Sequence, residues 1–467
     1  MIYDLAIIGA GSGGLSVAAA AAQFGRKVIL FEKGKMGGDC LNYGCIPSKA
    51  LIAASKQAHA MRTVGKYGIK PGEPQVDFKK VHAYVQRVIA AIEPNDSVER
   101  FEKLGVKVVL GEARFRDAKS VESNGQIFTA KRFVIATGSR AAIPPIPGLE
   151  TVPYFTNETI FDNQKLPKHL IIIGGGPVGI ELAQAYRRLG AEVTLIEAFE
   201  PLAKDDPELA DIVLESLRAD GVRILARAAI KNVSKSKAGR IVEIEGHGRV
   251  EGSHLLVAAG RVANVDGLNL EAAGIAYTAK GVTGDGGLRS SRKHIYAIGD
   301  VAGGLQFTHV AGYHAGLVIR NALFRLPVKT RTDIIPHVTF ADPELAQVGF
   351  TEVEARRQFG SGVRAVRWPF LENDRAQAEG KTAGLIKAVI GARGKILGVG
   401  IVGAQAGELI QPWVLAMSEG LKIKSIANMV APYPTLGEIN RRVAINYFSD
   451  LATNPWLRRV IGLLGKG

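Results

Sequence analysis

Two stretches of the chain share one order of apolar and polar positions. Each begins with a short apolar run, Leu5–Ile8 in one and Leu170–Ile173 in the other. Glycines at the spacing G-x-G-x-x-G and an Ala-rich segment follow, and a second apolar run ends at Glu32 or Glu197. Short apolar runs bounded by glycine predict buried strands, and the longer Ala-rich segments predict helices. The pattern therefore predicts a β-α-β unit that occurs twice.

The two units align without a gap, GAGSGGLSVAAAAAQFGRKVILFE with GGGPVGIELAQAYRRLGAEVTLIE. In such a unit the first glycines allow a pyrophosphate to approach the backbone, the last lets helix and strand pack, and the closing carboxylate accepts hydrogen bonds from ribose. Two units predict two dinucleotides, most economically a tightly held FAD and an exchangeable NAD. The predicted contacts are Gly9, Gly11, Ser12, Gly13, Gly14, Glu32 and Lys33 in the first unit, and Gly174, Gly176, Val178, Gly179, Glu197 and Gly260 for the second.

Three further segments carry candidate cofactor contacts. Asp300, in HIYAIGDVAG, follows a short apolar strand, where its carboxylate either bonds the ribityl chain of FAD or only begins a turn. The segment ATGS reads as a strand that enters a tight turn near the nucleotide. The remaining contacts assigned to FAD are Ala136, Thr137, Gly138, Gly38, Asp39 and Lys49.

The chain has two cysteines, Cys40 and Cys45, in the segment GGDCLNYGCIPSKAL. On one irregular helical turn, two thiols at this spacing can form a disulfide that a flavin reduces. The alternative is a pair of buried, inert thiols. Because the chain has no other cysteine and its histidines are scattered, a zinc site lacks ligands, and no metal site is predicted.

The composition of the chain narrows the kinds of partner that it is expected to bind. Lys and Arg total 59 against 44 Asp and Glu, a net charge of +15, which favours anionic partners. The charge is scattered without a recognisable module, which argues against a nucleic-acid partner. The N-terminus shows no basic leader, and no apolar run reaches the ~18–20 residues that span a bilayer, so a cytoplasmic protein is expected.

Taken together, these motifs resemble the pyridine nucleotide-disulfide oxidoreductases, the family of dihydrolipoamide dehydrogenase, glutathione reductase and mercuric reductase. The resemblance also covers AAGRVANVDGL from Ala258 and ADPELAQVGFTE from Ala341. It implies an α/β fold with two Rossmann-like dinucleotide-binding domains, a C-terminal α+β dimerisation domain, and a homodimer. The implied layout is an FAD-binding domain over 1–147, an NAD-binding domain over 148–265, a central FAD-associated segment over 266–335, a dimerisation domain over 336–450 and an amphipathic tail over 451–467.

The resemblance also implies roles for individual side chains. Cys45 would be the thiolate against the flavin, and Cys40 would exchange with a disulfide or dithiol substrate. Lys49 would lie near the flavin and pair with Glu181, close to the nicotinamide. The alternatives are a solvated lysine and a glutamate on a helix face.

The chain departs from the family near its end. Members usually carry a His-Pro-Thr segment followed by Glu, which reaches into the partner subunit's site. Here the segment is APYPTLGE, in which Thr435 and Glu438 are in register but Tyr433 replaces the histidine. A phenol with a pKa near ~10 stays protonated where an imidazole near ~6.5 exchanges a proton. Slow dithiol turnover is therefore expected, and Tyr433 either contacts substrate or packs in an interface.

Two further features bear on function. Ala198 and Phe199 follow Glu197 where arginines would hold a 2′-phosphate, so NADH is the expected coenzyme. The second cysteine pair that mercuric reductases carry near the C-terminus is lacking. In the tail, one helical face collects apolar side chains while Arg458 and Arg459 turn away, and this face either packs on the dimer or lies on an anionic membrane. The apolar face consists of Trp456, Leu457, Val460, Ile461 and Leu464.

These observations predict an NADH:disulfide, or dithiol:NAD, oxidoreductase of the dihydrolipoamide dehydrogenase type. Two alternatives stay open. One is a peripheral membrane NADH dehydrogenase that reduces a quinone or a metal ion. The other is a subunit that binds an acidic carrier domain and turns over weakly.

Overall fold

The structure is a computed structural model that describes residues 1–237, 239–450 and 454–464. Its N-terminal region alternates short strands with helices. The strands are β1 (Ile2–Tyr3), β2 (Leu5–Ile8), β3 (Val28–Glu32), β4 (Val106–Leu110), β5 (Ala113–Asp117), β6 (Ser120–Ser123), β7 (Gln126–Ala130), β8 (Phe133–Ile135) and β9 (Ser139–Ala141). The helices are α1 (Ser12–Gln23), α2 (Gly38–Asn42), α3 (Cys45–Thr63), α4 (Phe78–Ile92) and α5 (Val98–Lys103).

The second region repeats the arrangement and adds an antiparallel sheet. Its strands are β10 (His169–Ile173), β11 (Glu192–Ile196), β12 (Arg223–Leu225), β13 (Ile230–Lys235), β14 (Arg240–Ile244), β15 (Gly248–Gly252), β16 (His254–Val257) and β17 (Arg261–Ala263). Its helices are α6 (Pro177–Arg188) and α7 (Pro207–Ala219). Next come β18 (Tyr277–Thr278), β19 (Gly281–Val282), β20 (Ile295–Ala297) and α8 (Thr308–Phe324).

The C-terminal region is built on five strands, β21 (His337–Thr339), β22 (Glu344–Gly349), β23 (Arg364–Pro369), β24 (Leu385–Ile390) and β25 (Ile396–Gly403). Its helices are α9 (Glu352–Phe359), α10 (Asp374–Glu379), α11 (Ala406–Leu409), α12 (Gln411–Ser418), α13 (Ile423–Ala427), α14 (Glu438–Asn446) and α15 (Pro455–Leu464). Among the residues that the structure describes, no helix combines the length and apolar character needed to cross a bilayer.

Two parallel sheets dominate the fold. The first has the order β20-β8-β2-β3-β4 and the second the order β12-β11-β10-β16. Their central strands β2 and β10 carry only apolar side chains between Leu5 and Ile8 and between Leu170 and Ile173, all of them buried because helices or further sheets cover both faces. The predicted repeat of β-α-β units is therefore present. Strand β20, from the predicted central segment, completes the first sheet.

A two-stranded ribbon joins the N-terminal region, called the first half below, to the second region, called the second half. Strand β9, where the chain leaves the first half, pairs antiparallel with β17, where it returns. The C-terminal strands form an antiparallel sheet of order β21-β22-β25-β24-β23, whose core surrounds the fully buried Trp413. The exact domain boundaries stay predictions.

A buried cluster of charges connects the second half to the C-terminal sheet. Lys387 on β24 has a side chain only 5% exposed, and its Nζ lies 2.8 Å from Asp206, 2.8 Å from Glu208 and 3.0 Å from Glu352. Arg367 on β23 completes the cluster by binding Glu208 and Glu352. Asp206 and Glu208 begin α7, so the cluster fixes this helix against the C-terminal sheet.

Candidate active site

One large cavity runs between the regions. Its volume is about 2040 Å³, whereas a pocket for a single small ligand is ~300–1,000 Å³. Both glycine turns and both cysteines line it. It therefore has room for two dinucleotides that meet near the thiols.

The first and last glycine of each motif have no room for a side chain. A Cβ on Gly9 would lie 2.4 Å from the carbonyl oxygen of Ala136, and one on Gly14 would lie 1.9 Å from the oxygen of Gly9. In the second unit a Cβ on Gly174 would lie 2.3 Å from the oxygen of Ala258, and one on Gly179 would lie 2.0 Å from the oxygen of Gly174. These positions exclude any side chain because the backbone itself is in the way.

Nearly all predicted cofactor contacts line the cavity, with two corrections. Gly14 and Gly179 do not face it, because each is the point at which its helix packs on the preceding strand. In contrast, Gly11 and Gly176 face open space, since a Cβ added to either would have no atom closer than 4.0 Å. The middle glycine of each motif is therefore where a ligand can approach the backbone.

Both acidic residues adopt the same local arrangement. Glu32 accepts hydrogen bonds from the backbone N–H groups of Ala10, at 2.6 Å, and Gly34, at 2.7 Å. Glu197 accepts them from Gly175, at 2.6 Å, and Phe199, at 2.9 Å. Each carboxylate is thereby held at the carboxyl end of its strand, beside a glycine turn, where a ribose would lie.

The two cysteines are free thiols held together at the start of α3. Cys40 lies in α2 and Cys45 is the first residue of α3. The Cys45 Sγ is hydrogen bonded to the Oγ1 of Thr308, at 3.3 Å. Gly38, which begins α2, packs against Gly11. The segment of residues 39–45 that carries both thiols, here called the cysteine loop, therefore starts from a residue that rests on the first glycine turn.

The thiols have opposite acidities. The hydrogen bond from Cys40, with help from Thr308 and the Lys49 charge, lowers the pKa of Cys45 to about 6, although burial opposes it. The same hydrogen bond, together with burial, raises the pKa of Cys40. In the reduced pair these shifts favour the thiolate at Cys45 and the protonated thiol at Cys40. The roles of the two cysteines in turnover stay predictions.

Lys49 and Glu181 form an ion pair on the cavity wall. The Lys49 Nζ donates to the Glu181 Oε2 at 2.8 Å, and the Glu181 side chain is buried. The other oxygen of Glu181 accepts the backbone N–H of Phe340, at 2.9 Å. Glu181 is thus fixed from both sides, and the ammonium of Lys49 is held at the cavity. What the pair contributes to turnover stays a prediction.

Asp300 belongs to a polar network that no sequence motif predicts. Its Oδ2 accepts the hydroxyl of Ser139 at 2.5 Å and lies 3.8 Å from the guanidinium of Arg261. Arg261 also lies 3.3 Å from Asp39, whose other oxygen accepts the amide of Asn157 at 3.0 Å. Burial raises the pKa of Asp300, whereas Ser139 and Arg261 favour its charged form.

Tyr433 and Glu438 do not line the cavity of their own chain. Tyr433 is 70% exposed, and its hydroxyl donates to the Oδ2 of Asp374 at 3.0 Å. This bond raises the pKa of the phenol. Glu438 begins α14. Neither residue lines the cavity that holds the cysteines in its own chain, and their reach into a partner subunit's site stays a prediction.

The amphipathic tail predicted over residues 451–467 can be compared with the structure only over residues 454–464, because residues 451–453 and 465–467 lie outside the described residues. Within the described part, α15 begins at Pro455 after Asn454, whose side chain accepts the N–H groups of Trp456 and Leu457. None of its residues is buried, and Trp456, Ile461 and Leu464 are 60–76% exposed. Leu457 and Val460 are half-buried, so the described part of the chain leaves the predicted apolar face largely, but not wholly, exposed.

The residues present fit FAD and NAD. The backbone next to Gly11 and Gly176 is open, a carboxylate stands at the ribose position of each unit, and Asp300 reaches the cavity between them. FAD would be held by the turn after β2, Glu32 and Asp300, and NAD by the turn after β10 and Glu197.

Comparisons with known proteins agree with this geometry. Residues 3–315 match the family model of the pyridine nucleotide-disulphide oxidoreductases, and residues 335–444 match the dimerisation domain of the same family. The chain belongs to this family of FAD-dependent enzymes, which use NAD(P)H. The dimerisation domain supports a homodimer, and the α/β fold with two dinucleotide-binding units is that of the family.

Relatives of two activities are similar to the chain. A mercuric reductase of Lysinibacillus sphaericus is 36% identical over 96% of this chain and 83% of its own length. A dihydrolipoyl dehydrogenase of Geobacillus stearothermophilus is 37% identical over 94% of both. The HOCl-induced flavoprotein disulfide reductase RclA of Escherichia coli, solved as its Cu(II) complex, has a TM-score of 0.86 at 27% identity and covers 96% of this chain and 99% of its own.

Three residues of the site are not among those predicted from the sequence. Thr308 is 263 positions from Cys45, and Asn157 is 118 positions from Asp39. Arg261 stands in AAGRV, a motif noted only for the resemblance. The arginine directly after Gly260 was the single available hint.

Proposed function

We propose that the protein is an NADH-dependent disulfide oxidoreductase in which Cys45 and Cys40 form the redox-active pair. Overall, NADH, a proton and a disulfide yield NAD⁺ and two thiols. When bound, FAD supplies the acceptor for the hydride and relays the electron pair to the Cys40–Cys45 disulfide. The carrying observation is the acidified thiol of Cys45 in a cavity that both glycine turns share.

The chain's own residues divide the work between two thiols. Cys45, with Thr308 and Lys49 beside it, holds the thiolate once the pair is reduced. Cys40 also lines a second pocket of about 290 Å³, with Asp96 and Arg100, through which a disulfide can reach it. To attack that disulfide Cys40 must lose its proton, and its raised pKa opposes this.

An anaerobic titration with NADH tests the redox pair. The purified protein should be yellow, and NADH should convert the disulfide into two thiols per chain that iodoacetamide then labels. In Cys40→Ser and Cys45→Ser, one thiol should be labelled both before and after NADH. A natural protein whose thiol count does not change on NADH addition would contradict the proposal.

We further propose that NADH is preferred over NADPH because the Glu197 carboxylate, fixed by Gly175 and Phe199, repels a 2′-phosphate. Glu197→Ala should shift the ratio of kcat/KM values toward NADPH by about tenfold, or ~1.4 kcal/mol. Glu192→Ala, an exposed glutamate at the other end of β11, is the matched control and should leave the ratio unchanged. An equal preference in the natural protein would argue against this assignment.

A second candidate acceptor is a metal ion or a quinone. The phenol of Tyr433 where the family carries an imidazole favours it, as do relatives named mercuric reductase and an RclA structure solved with Cu(II). The largely exposed apolar face of α15 would suit a peripheral contact with an anionic membrane. NADH oxidation should be compared with lipoamide, a quinone, a ferric chelate and Cu(II). Fast quinone reduction that survives loss of both cysteines would favour this candidate over the first.

A further inference from the structure

Arg261 ties the cysteine loop to the ribbon that joins the two halves of the molecule. Its guanidinium donates to the hydroxyl of Ser139 at 2.7 Å and to the carbonyl of Ser139 at 2.9 Å, so β9 and β17 hold it in place. From there it lies 3.3 Å from Asp39 and 3.8 Å from Asp300. The Arg261 side chain, which is 19% exposed, thus places one guanidinium against two carboxylates.

Asp39 contacts both ends of the loop between the cysteines. It directly precedes Cys40, and its Oδ2 would lie 2.9 Å from a Cβ on Gly44, the residue before Cys45. Its Oδ1 accepts the side-chain amide of the buried Asn157, which also donates to the carbonyl of Tyr43 at 3.4 Å. The position of this carboxylate and the shape of the loop are therefore linked.

We propose that Arg261 is a positioning residue for the redox-active cysteines, which acts through Asp39 to hold the loop of residues 39–45 and to offset the Asp39 charge beside Cys45. The ion pair of Arg261 with Asp39 does not depend on the proposed function. Only the use of Cys45 as the working thiolate rests on it.

The charges around Cys45 give the direction of the effect. Cys45 is faced by Cys40 and Asp39 from α2, by Lys49 from α3 and by the hydroxyl of Thr308 from α8. Asp39 disfavours the thiolate, and Lys49 favours it. Without Arg261 the Asp39 charge is no longer offset, so the thiolate should form at a higher pH. Without the Asp39 charge it should form at a lower pH.

The test is the pH profile of iodoacetamide alkylation, which follows the thiolate fraction, in a Cys40→Ser background where Cys45 is the sole thiol. Arg261→Met should move the midpoint upward by roughly 0.5 pH unit, and Arg261→Lys should stay near the parent because the charge is kept. Asp39→Asn should move it downward. The double variant Arg261→Met with Asp39→Asn should match Asp39→Asn alone, because Arg261 acts through Asp39.

Arg140→Met is the matched control, since Arg140 lies on the same ribbon but pairs with Asp266, at 2.7 Å, and should leave the midpoint unchanged. The proposal is overturned if the alkylation midpoint of Arg261→Met equals that of the parent. If Arg261→Met does not fold, an unchanged midpoint in Asp39→Asn overturns it instead. A double variant whose alkylation midpoint differs from that of Asp39→Asn alone also overturns the proposal. Failure of the proposed function is detected by a different measurement, because the thiol count of the natural protein would then not change when NADH is added.

Discussion

At the scale of single residues, the site depends on which thiol carries the negative charge. Cys45 has three favourable neighbours in Cys40, Thr308 and Lys49, whereas Cys40 keeps its proton through its bond to Cys45. The asymmetry is produced by neighbours and not by the cysteines themselves, because two free thiols of the same kind would otherwise ionise near pH ~8.5.

The first prediction concerns the pH dependence of this thiolate. A group with a lowered pKa is charged above that pKa and loses its charge as the pH falls through it. After reduction by NADH, the long-wavelength absorbance of a thiolate beside the flavin should therefore be present at pH 8 and disappear with a midpoint near pH 6. Cys45→Ser should abolish the band. Cys40→Ser should show it already in the oxidised protein, before NADH is added, because Cys45 is then a free thiolate beside an oxidised flavin. The opposite pattern would mean that the roles of the cysteines are exchanged.

A second prediction concerns Tyr433. Its hydroxyl is bound to Asp374 and its pKa is raised, so it cannot act as a base at neutral pH. Tyr433→Phe should cost little in lipoamide turnover, and Tyr433→His should increase it, since general acid-base catalysis is typically worth ~10²–10⁴-fold. The gain should follow the ionisation of the new imidazole in the pH profile. Reduction of the flavin by NADH, which needs no such base, serves as the internal control.

If Tyr433→His leaves lipoamide turnover unchanged, the proton is supplied by another group or Tyr433 does not reach the partner's cysteines. In either case Tyr433→Phe and Tyr433→His should behave alike at every pH, and the assignment of Tyr433 to the histidine position of the family would lose its functional meaning.

At the scale of elements, the two glycine turns are built to one steric plan. The last glycine of each motif is buried between helix and strand, while the middle glycine is open to the cavity. The three glycines of each motif therefore meet two different requirements. The last one is needed for helix-to-strand packing, and the middle one leaves room for a ligand.

This difference gives the third prediction. In Gly179→Ala the new Cβ would lie 2.0 Å from the oxygen of Gly174, so α6 must shift away from β10 and the midpoint of thermal unfolding should fall. In Gly176→Ala the Cβ meets no protein atom within 4 Å, so stability should be kept while the KM for NADH rises. Calorimetry and steady-state kinetics on both variants provide the measurements. Equal loss of stability in the two variants would show that the middle glycine also has a structural task.

At the scale of the whole molecule, buried charges hold the second half against the C-terminal region. Lys387 binds three carboxylates, of Asp206, Glu208 and Glu352, and its side chain is almost inaccessible to water. Removing one partner of a buried ion pair typically costs about 3–5 kcal/mol, because the remaining charges are left without compensation.

The fourth prediction is that Lys387→Met lowers the midpoint of thermal unfolding, whereas Lys381→Met, at an exposed position in the same region, does not. Burial opposes the charge of Glu352, but hydrogen bonds from Arg356 and Lys387 hold its pKa at about 2. This depressed pKa contributes stability that is present above the unfolded value of ~4.3 and is lost as the pH falls toward 2.

Lys387→Met should therefore lose less stability than the natural protein when the pH is lowered from 5 to 3. An identical acid dependence in both proteins would mean that Lys387 does not hold Glu352 in its charged form.

The sequence by itself determined the two β-α-β units and the reactive cysteine pair. Both are local, since the glycine spacing, the strand lengths and the Cys40–Cys45 interval act within a few dozen residues of chain, and the steric exclusion at Gly9 and Gly174 tolerates no substitute. The pairing of Lys49 with Glu181 entered only through the resemblance, because 132 residues separate them.

Only the tertiary structure decided how the thiols are tuned. Thr308, Asn157 and Arg261 reach the cysteine loop from three distant segments, and no periodicity or spacing relates them to Cys40 or Cys45. Their effect depends on distance and burial, since a charge acts through space and weakens with water around it. The chemical identity of the site is therefore written in short motifs, whereas its acidity is set by the folded environment.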